Sequence, residues 1–231
     1  MIDFRSWRHT FKLDPDKQID DAALEALCES GTDAILVGGT YGVTYDNTLD
    51  LMSRIRRYAV PAVLEISSLE AVVPGFDAYF IPLVLNAGDP DWLFAPHVSG
   101  LRAFGSYLHW EEIFTEGYVI ANPDAAVARL TKAKPICGAE EAKAYGRVAT
   151  KICHLPIVYV EYSGTYGDPE IVRACKAGAE EAHLLYGGGI RTAEQAAEMA
   201  RIADTIVVGN LIYEDVEAAL VTVEAVKRLD V

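Results

Sequence analysis

The sequence is short of positive charge. Its 231 residues carry 34 acidic and 20 basic side chains, a formal net charge of −14. A surface of that sign repels a phosphate backbone and an anionic bilayer alike. General nucleic-acid binding and electrostatic membrane anchoring are therefore excluded. Any anionic ligand must instead be held by a local positive site against the global field. Cysteine is scarce as well. Cys28, Cys137, Cys153 and Cys175 form no CxxC pair and no zinc spacing, and read as reduced, mostly packed thiols of a cytoplasmic protein. No apolar run reaches about 18 residues. Met1-Ile-Asp-Phe-Arg5 lacks the pattern of a signal peptide, so neither a membrane-spanning helix nor secretion is expected. No low-complexity tract, linker or charge run marks a domain boundary. With 51% hydrophobic residues the chain can bury one large core, and residues 1–231 are expected to form a single domain.

What is present is alternation. Short, nearly all-apolar runs at 9–13, 34–38, 62–66, 78–82, 118–121, 157–161, 183–186 and 205–208 read as eight buried parallel strands. Helical patterns lie between them at 20–30, 47–58, 140–153, 169–177, 192–202 and 214–229. The first stops before Gly31, a C-cap residue. Asp168-Pro169 supplies an N-cap followed by proline at the first helical position. This is the pattern of an α/β chain folded as a TIM (β/α)8 barrel. One unit breaks it. Only 67–77 joins the third strand to the fourth, and it contains Pro74-Gly75. The third helix is therefore expected to be replaced by a short or irregular segment, which opens a slot in the outer wall.

The richest stretch is Tyr159-Val-Glu-Tyr-Ser-Gly-Thr-Tyr-Gly-Asp-Pro169, followed by Tyr186-Gly-Gly-Gly-Ile190 and Val207-Val-Gly-Asn210. Each is a strand running into a small or Gly-rich turn. Such turns share the barrel face where backbone N–H groups and helix N-termini hold phosphate. Lys12 and Asp14 have the same parity at the end of the first strand. A lysine meets a phosphate as a point charge and an aspartate suits Mg²⁺; a surface Lys–Asp pair is the plain alternative. Thr40 offers a hydroxyl at the same rim, or serves as a turn residue. Glu161 places a carboxylate on an apolar strand, which is costly unless it is paired or functional. Glu65 is a similar case, and a salt bridge inside the barrel is the alternative for such a group. Asn86, Asn122 and Asn210 sit just past strand ends, where asparagine also forms turns.

Taken in order, Lys12-Leu-Asp-Pro-Asp16, Gly38-Gly-Thr40, Val72-Val-Pro-Gly-Phe-Asp77, Glu116-Gly-Tyr118, Asn122-Pro-Asp124, Tyr159-Val-Glu-Tyr-Ser-Gly164, Tyr186-Gly-Gly-Gly-Ile190 and Val208-Gly-Asn210 resemble the geranylgeranylglyceryl/heptaprenylglyceryl phosphate synthase family. The resemblance implies a TIM barrel with a shortened third helix. It implies a Mg²⁺-dependent prenyltransferase that joins sn-glycerol 1-phosphate to a polyprenyl diphosphate through an ether bond. It further implies that Lys12 contacts glycerol 1-phosphate and that Asp14 and Thr40 bind Mg²⁺ with the diphosphate. Tyr159, Val160, Glu161, Tyr162, Ser163 and Gly164 would surround the glycerol. Gly189, Gly209 and Asn210 would hold its phosphate through backbone N–H groups. A homodimer is expected, with transient membrane contact through the prenyl substrate.

Charge then orders the chemistry. The leaving diphosphate needs Mg²⁺ and Lys12 against its growing charge. The glycerol hydroxyl attacks the allylic carbon and loses a proton, for which Glu161 is the candidate acceptor. The tail needs an apolar groove, expected in the slot and around 92–104. Where archaeal relatives commonly carry a tryptophan closing the groove, this chain has Gly100. That favours a heptaprenyl donor, with geranylgeranyl as the alternative. A sugar-phosphate isomerase or aldolase on the same barrel is a more distant reading, and Lys12 is the only lysine in the expected strands for a Schiff base. A catalytically dead phosphate-binding barrel would be expected to lack Asp14 or Glu161, and both are present.

Overall fold

Short apolar strands can satisfy their backbone groups only by pairing with one another, and here they close a ring. The computed structural model describes residues 2–134, 136 and 138–229. The strands β1 (His9–Leu13), β2 (Ala34–Val37), β3 (Ala62–Glu65), β4 (Ala78–Val84), β5 (Ile113–Ile120), β6 (Ile157–Glu161), β7 (His183–Gly187) and β8 (Thr205–Val208) form a closed barrel in sequential order. All pairings are parallel, and β8 returns to β1. Helix α1 (Asp21–Glu29) follows β1 and α2 (Tyr45–Ile55) follows β2. After β4 comes α3 (Ala95–Phe104), and after β5 come α4 (Ala126–Thr131) and α5 (Ala139–Arg147). The remaining helices are α6 (Pro169–Ala179) after β6, α7 (Ala193–Ala200) after β7, and α8 (Leu211–Glu214) with α9 (Val216–Lys227) after β8. This is a TIM barrel. Between β3 and β4 there is only a 3₁₀ turn, Leu69–Ala71, so the third helix is replaced as expected.

Local chemistry explains the boundaries. Asp20, Thr44, Asp168, Thr192 and Asp215 each accept an N–H of the helix they precede, which satisfies donors that have no partner inside the helix. Gly31 takes a φ of +84° just past α1, a conformation open to glycine without strain. Several expectations shift. β5 begins at Ile113, five residues before the expected start, and β4 runs on to Val84. The helix expected over 140–153 stops at Arg147 and continues as a π-helical turn, Val148–Ile152.

The alternation along each strand divides the core into two layers. Phe80, Tyr118, Tyr159 and Leu185 belong to the inner layer, while Phe11, Val160 and Tyr186 pack outward with the helices. The segment before β1 closes the lower end of the barrel. The Phe4 ring lies 4.9 Å from Phe114 and 5.6 Å from His183, and Trp7 lies 6.2 Å from Phe80. Cys28 and Cys175 are buried and Cys153 is partly so, all three with free thiols; Cys137 lies outside the described residues. Among the described residues no helix is long and apolar enough to cross a membrane.

Candidate active site

Strand parity decides which side chains enter the barrel. Lys12 on β1, Glu65 on β3, Glu116 and Tyr118 on β5, and Tyr159 and Glu161 on β6 all have the inward phase. The three carboxyl groups are buried. Lys12 Nζ lies 2.5 Å from Glu65 Oε1, so Glu65 is the carboxylate that the lysine pairs. Glu161 is held differently: Tyr118 Oη donates to its Oε2 at 2.7 Å, and the Ser163 N–H donates to its Oε1. The Tyr118 and Tyr159 rings are stacked, with centroids 4.6 Å apart. The Lys12 ammonium stands over the Tyr159 ring at 5.3 Å, a favourable cation–π placement. The Tyr159 ring reaches across to β7, where a Cβ on Gly187 would overlap its hydroxyl.

These contacts fix the proton inventory. Burial works against the Lys12 ammonium, but Glu65, Glu161 and Glu116 outweigh it and hold its pKa above the ordinary lysine value. Burial, and then the charge of Glu161, push the Tyr118 and Tyr159 phenols well above theirs. Both tyrosines are thus neutral donors at physiological pH, and Tyr118 spends its proton on Glu161.

The rim is assembled from β1 and β2 on one side and β6, β7 and β8 on the other. The Asp14 carboxylate lies where a Cβ on Gly39 would overlap it, and so sits beside Thr40. Its Oδ1 accepts the Asp16 N–H at 3.0 Å. Burial raises its pKa, with the Asp16 N–H and Lys17 working the other way. Lys17 Nζ donates to Asn210 Oδ1 at 3.0 Å, and the Asp14 N–H donates to Tyr213 Oη at 2.9 Å. These two bonds tie the turn after β1 to α8. Opposite them, the N–H groups of Gly164, Gly189, Gly209 and Asn210 donate to no acceptor among the described residues. They come from the turns after β6, β7 and β8, and the short α8 follows the last of them. The loops after strands seven and eight, with a short extra helix, are the usual phosphate seat of this fold.

One cavity of about 1770 Å³ connects these groups, apart from Glu116, which lies buried behind its lining. Small-ligand sites occupy roughly 300–1,000 Å³, so it has room for a longer ligand. From the barrel mouth it runs into the slot left by the missing helix, between walls that include Val72, Pro74, Ile81, Leu83, Leu101 and Phe104. Gly100 on α3 faces the slot, and a Cβ there would stand 3.2 Å from Leu69 Cδ2.

The structure brings Lys12, Asp14, Thr40, Gly100, Tyr159, Glu161, Ser163, Gly164, Gly189, Gly209 and Asn210 to this cavity. It does not bring the side chains of Val160 and Tyr162 there. Both have outward parity: Val160 lies in the outer core, and Tyr162 packs toward Tyr186 and Gly188. Asn86 is a turn residue, bonded to the backbone of Ile120 and Lys134. Glu116 and Tyr118 enter the sequence reading only as part of a family motif, without a role, and Lys17 and Tyr213 carry no sequence signal of their own. For β5 a signal existed, because Glu116 and Tyr118 repeat the charged-plus-aromatic alternation of Tyr159 and Glu161.

The chain matches the PcrB family over residues 2–227. It is 79% identical to heptaprenylglyceryl phosphate synthase of Brevibacillus brevis (strain 47), with 98% of each chain covered. It is 56% identical to heptaprenylglyceryl phosphate synthase of Bacillus cereus (strain ATCC 14579), over 98% of this chain and 99% of that one. Among solved structures, (S)-3-O-geranylgeranylglyceryl phosphate synthase from Thermoplasma acidophilum, in complex with its substrate sn-glycerol-1-phosphate, superposes with a TM-score of 0.85. Its identity is 26%, and the match covers 97% of this chain and 94% of that one. On the family match and on identity over nearly its whole length, the chain belongs to the PcrB family.

Proposed function

We propose that the protein is a prenyltransferase that joins sn-glycerol 1-phosphate to a polyprenyl diphosphate, with heptaprenyl diphosphate as the preferred donor, and releases pyrophosphate. One observation carries this reading. A single cavity places the buried carboxylate of Glu161 between a set of unengaged backbone N–H groups and a long apolar groove.

The acceptor's phosphate rests on the N–H groups of Gly164, Gly189, Gly209 and Asn210, the arrangement that suits an anion. Its terminal hydroxyl then lies toward Glu161. The hydroxyl oxygen bonds to the allylic carbon, the carbon–oxygen bond to the diphosphate breaks, and the hydroxyl proton passes to Glu161. Tyr118 and the Ser163 N–H hold the carboxylate in place for that transfer. Fixing the acceptor by its phosphate is a proximity effect.

The donor's diphosphate needs more positive charge than the chain supplies. The lysines and arginines lining the cavity are Lys12, Lys17 and Arg191. Each already has a partner, in Glu65, Asn210 and Glu214 respectively. No group of three or more metal-ligating side chains exists among the described residues. One carboxylate and one hydroxyl, Asp14 and Thr40, fit Mg²⁺, which keeps waters and substrate phosphates in its shell. Bound there, Mg²⁺ supplies charge neutralisation for the leaving diphosphate. The donor itself is lipid-soluble. Phe94, Tyr107 and Trp110 are exposed along the outer part of the cavity, which suits transient contact with a bilayer.

The test is Mg²⁺-dependent pyrophosphate release from sn-glycerol 1-phosphate and a ladder of prenyl diphosphates, with the ether product identified by mass. The highest kcat/KM is expected for the heptaprenyl donor. Absence of release with every donor would overturn the reading, and preference for geranylgeranyl diphosphate would overturn the chain length.

Two variants probe its parts. Gly100→Trp should shift the kcat/KM ratio of the two donors toward geranylgeranyl. An indole would bridge the slot to Leu69 and exclude distal isoprene units while sparing the shorter tail. An unchanged ratio would show that this position does not measure the chain. The phosphate seat is probed at Gly209 rather than Gly189. Gly189 has a φ of +50°, and a Cβ there would overlap the backbone of Thr165 and Tyr166. Any side chain at Gly189 therefore displaces the turn after β6 as well. At Gly209 a Cβ would meet only ordinary contacts, 3.6 Å from the Lys12 carbonyl oxygen. Gly209→Val should raise KM for glycerol 1-phosphate on the order of tenfold, the loss of about one charge-assisted hydrogen bond. KM for the prenyl donor should stay unchanged; equal losses for both substrates would contradict a dedicated phosphate seat.

A further inference from the structure

Three carboxyl groups, Glu65, Glu116 and Glu161, act on Lys12 inside the barrel. Glu161 and Lys12 have the partners described above. Glu116 has none. It is fully buried, neither of its oxygens meets a donor, and Glu65 Oε2 also lacks one. These three buried oxygens are left to one another, and Glu65 acts on Glu116 as a hydrogen-bond partner as well as a charge. Two carboxylates offer only acceptors, so nothing joins them unless one of them carries a proton.

The surroundings decide which one. Glu65 accepts the Lys12 ammonium at 2.5 Å, so one of its oxygens is already engaged by a cation. Glu116 has no cation of its own. Burial, and then the negative charge of Glu65, raise its pKa well above the ordinary carboxyl value. Lys12 offsets part of that and Glu161 adds to it. The titratable groups facing Glu116 are thus Glu65 from β3, Lys12 from β1 and Glu161 from β6, with Tyr118 and Tyr159 beside them.

We propose that Glu116 is a neutral carboxylic acid that donates its proton to Glu65 Oε2 and thereby positions the Glu65–Lys12 pair. With Glu116 neutral, Glu65 and Lys12 cancel, and the negative charge of Glu161 alone remains in the interior. With Glu116 ionised, a second negative charge would face two anionic substrates. Glu116 is a positioning residue, acting through Glu65 on Lys12. That last step rests on the proposed prenyl transfer; the location of the proton does not.

Three measurements test it. In the infrared, wild type minus Glu116→Gln at neutral pH should show the carbonyl band of a protonated carboxylic acid. In thermal unfolding, the folded wild type retains a proton that the unfolded chain releases above an ordinary carboxyl pKa of about 4.3. The stability that this proton supplies is fully present below that pKa and is lost as pH rises toward the folded value. The Tm of wild type minus that of Glu116→Gln should therefore fall by roughly 3–5 °C per pH unit as pH rises above about 5. In turnover, Glu116→Leu, which cannot donate to Glu65, should lose about tenfold in kcat. Glu116→Gln, whose amide can donate, should recover most of that loss. Absence of the infrared band together with a flat Tm difference would overturn the neutral acid. Equal kcat losses in the two variants would overturn the positioning role. If the wild type itself releases no pyrophosphate, the transferase reading fails, while the infrared and thermal results still decide where the proton is.

Discussion

Replacing Glu161 by glutamine should lower kcat for ether formation by about 10²–10⁴, the usual contribution of a positioned general base, while KM for both substrates moves little. The geometry makes this a clean substitution. Glu161 is 2% exposed, and its two oxygens accept from Tyr118 and from the Ser163 N–H. Glutamine keeps the shape and one acceptor, and loses the group that takes the proton. Its amide nitrogen meets one of the two donors, so a modest fall in Tm is expected as well. The measurement is single-turnover pyrophosphate release under saturating substrates. A kcat within a few-fold of wild type, with the Tm showing an intact fold, would remove Glu161 from the role of base.

Asp14→Ala should cost about a hundredfold in rate, roughly the effect of removing one electrostatic contact at a transition state, and added Mg²⁺ should restore little of it. Asp14 is half-buried against Gly39 at the rim. Its only side-chain hydrogen bond among the described residues is to the neighbouring Asp16 N–H. Alanine therefore removes a carboxylate without unpicking the barrel. The loss should be large because Lys12, Lys17 and Arg191 are already engaged. Near-normal turnover of the variant at low Mg²⁺ would show that the metal is held elsewhere.

Much of this architecture is readable from residues alone, for a specific reason. β1, β2, β3, β6, β7 and β8 lie within a residue of where their apolar runs place them, because a strand buried on both faces has no reason to be polar. The missing third helix is equally visible, as a connection too short for a full crossover helix. β4 runs two residues further than expected, but β5 departs most, and Glu116 is the cause. Thr115, Glu116 and Gly117 interrupt the apolar run, so periodicity finds only the end of the strand. Glu116 is thereby missed by periodicity and enters the sequence reading only through the motif Glu116-Gly-Tyr118. α3 escapes a periodicity reading for a related reason: it lines the groove and buries no residue in the core, so it carries no stripe facing inward. In the site, strand alternation separates Tyr159, Glu161 and Ser163 from Val160 and Tyr162, a distinction that motif matching alone does not draw. Tyr118 becomes significant only through register, which sets it opposite Tyr159.

The aromatic floor laid by Phe4 and Trp7 bears on product yield. An allylic carbon that is losing its diphosphate combines with whichever oxygen reaches it first. With the lower end of the barrel shut, water can approach only through the mouth and the slot, and in the proposed reaction the glycerol hydroxyl would stand at the first and the prenyl tail would fill the second. The branching between productive transfer and wasteful hydrolysis to a prenol would then be settled at openings that the two substrates themselves occupy. A segment that touches neither substrate would in this way govern the fidelity of the reaction.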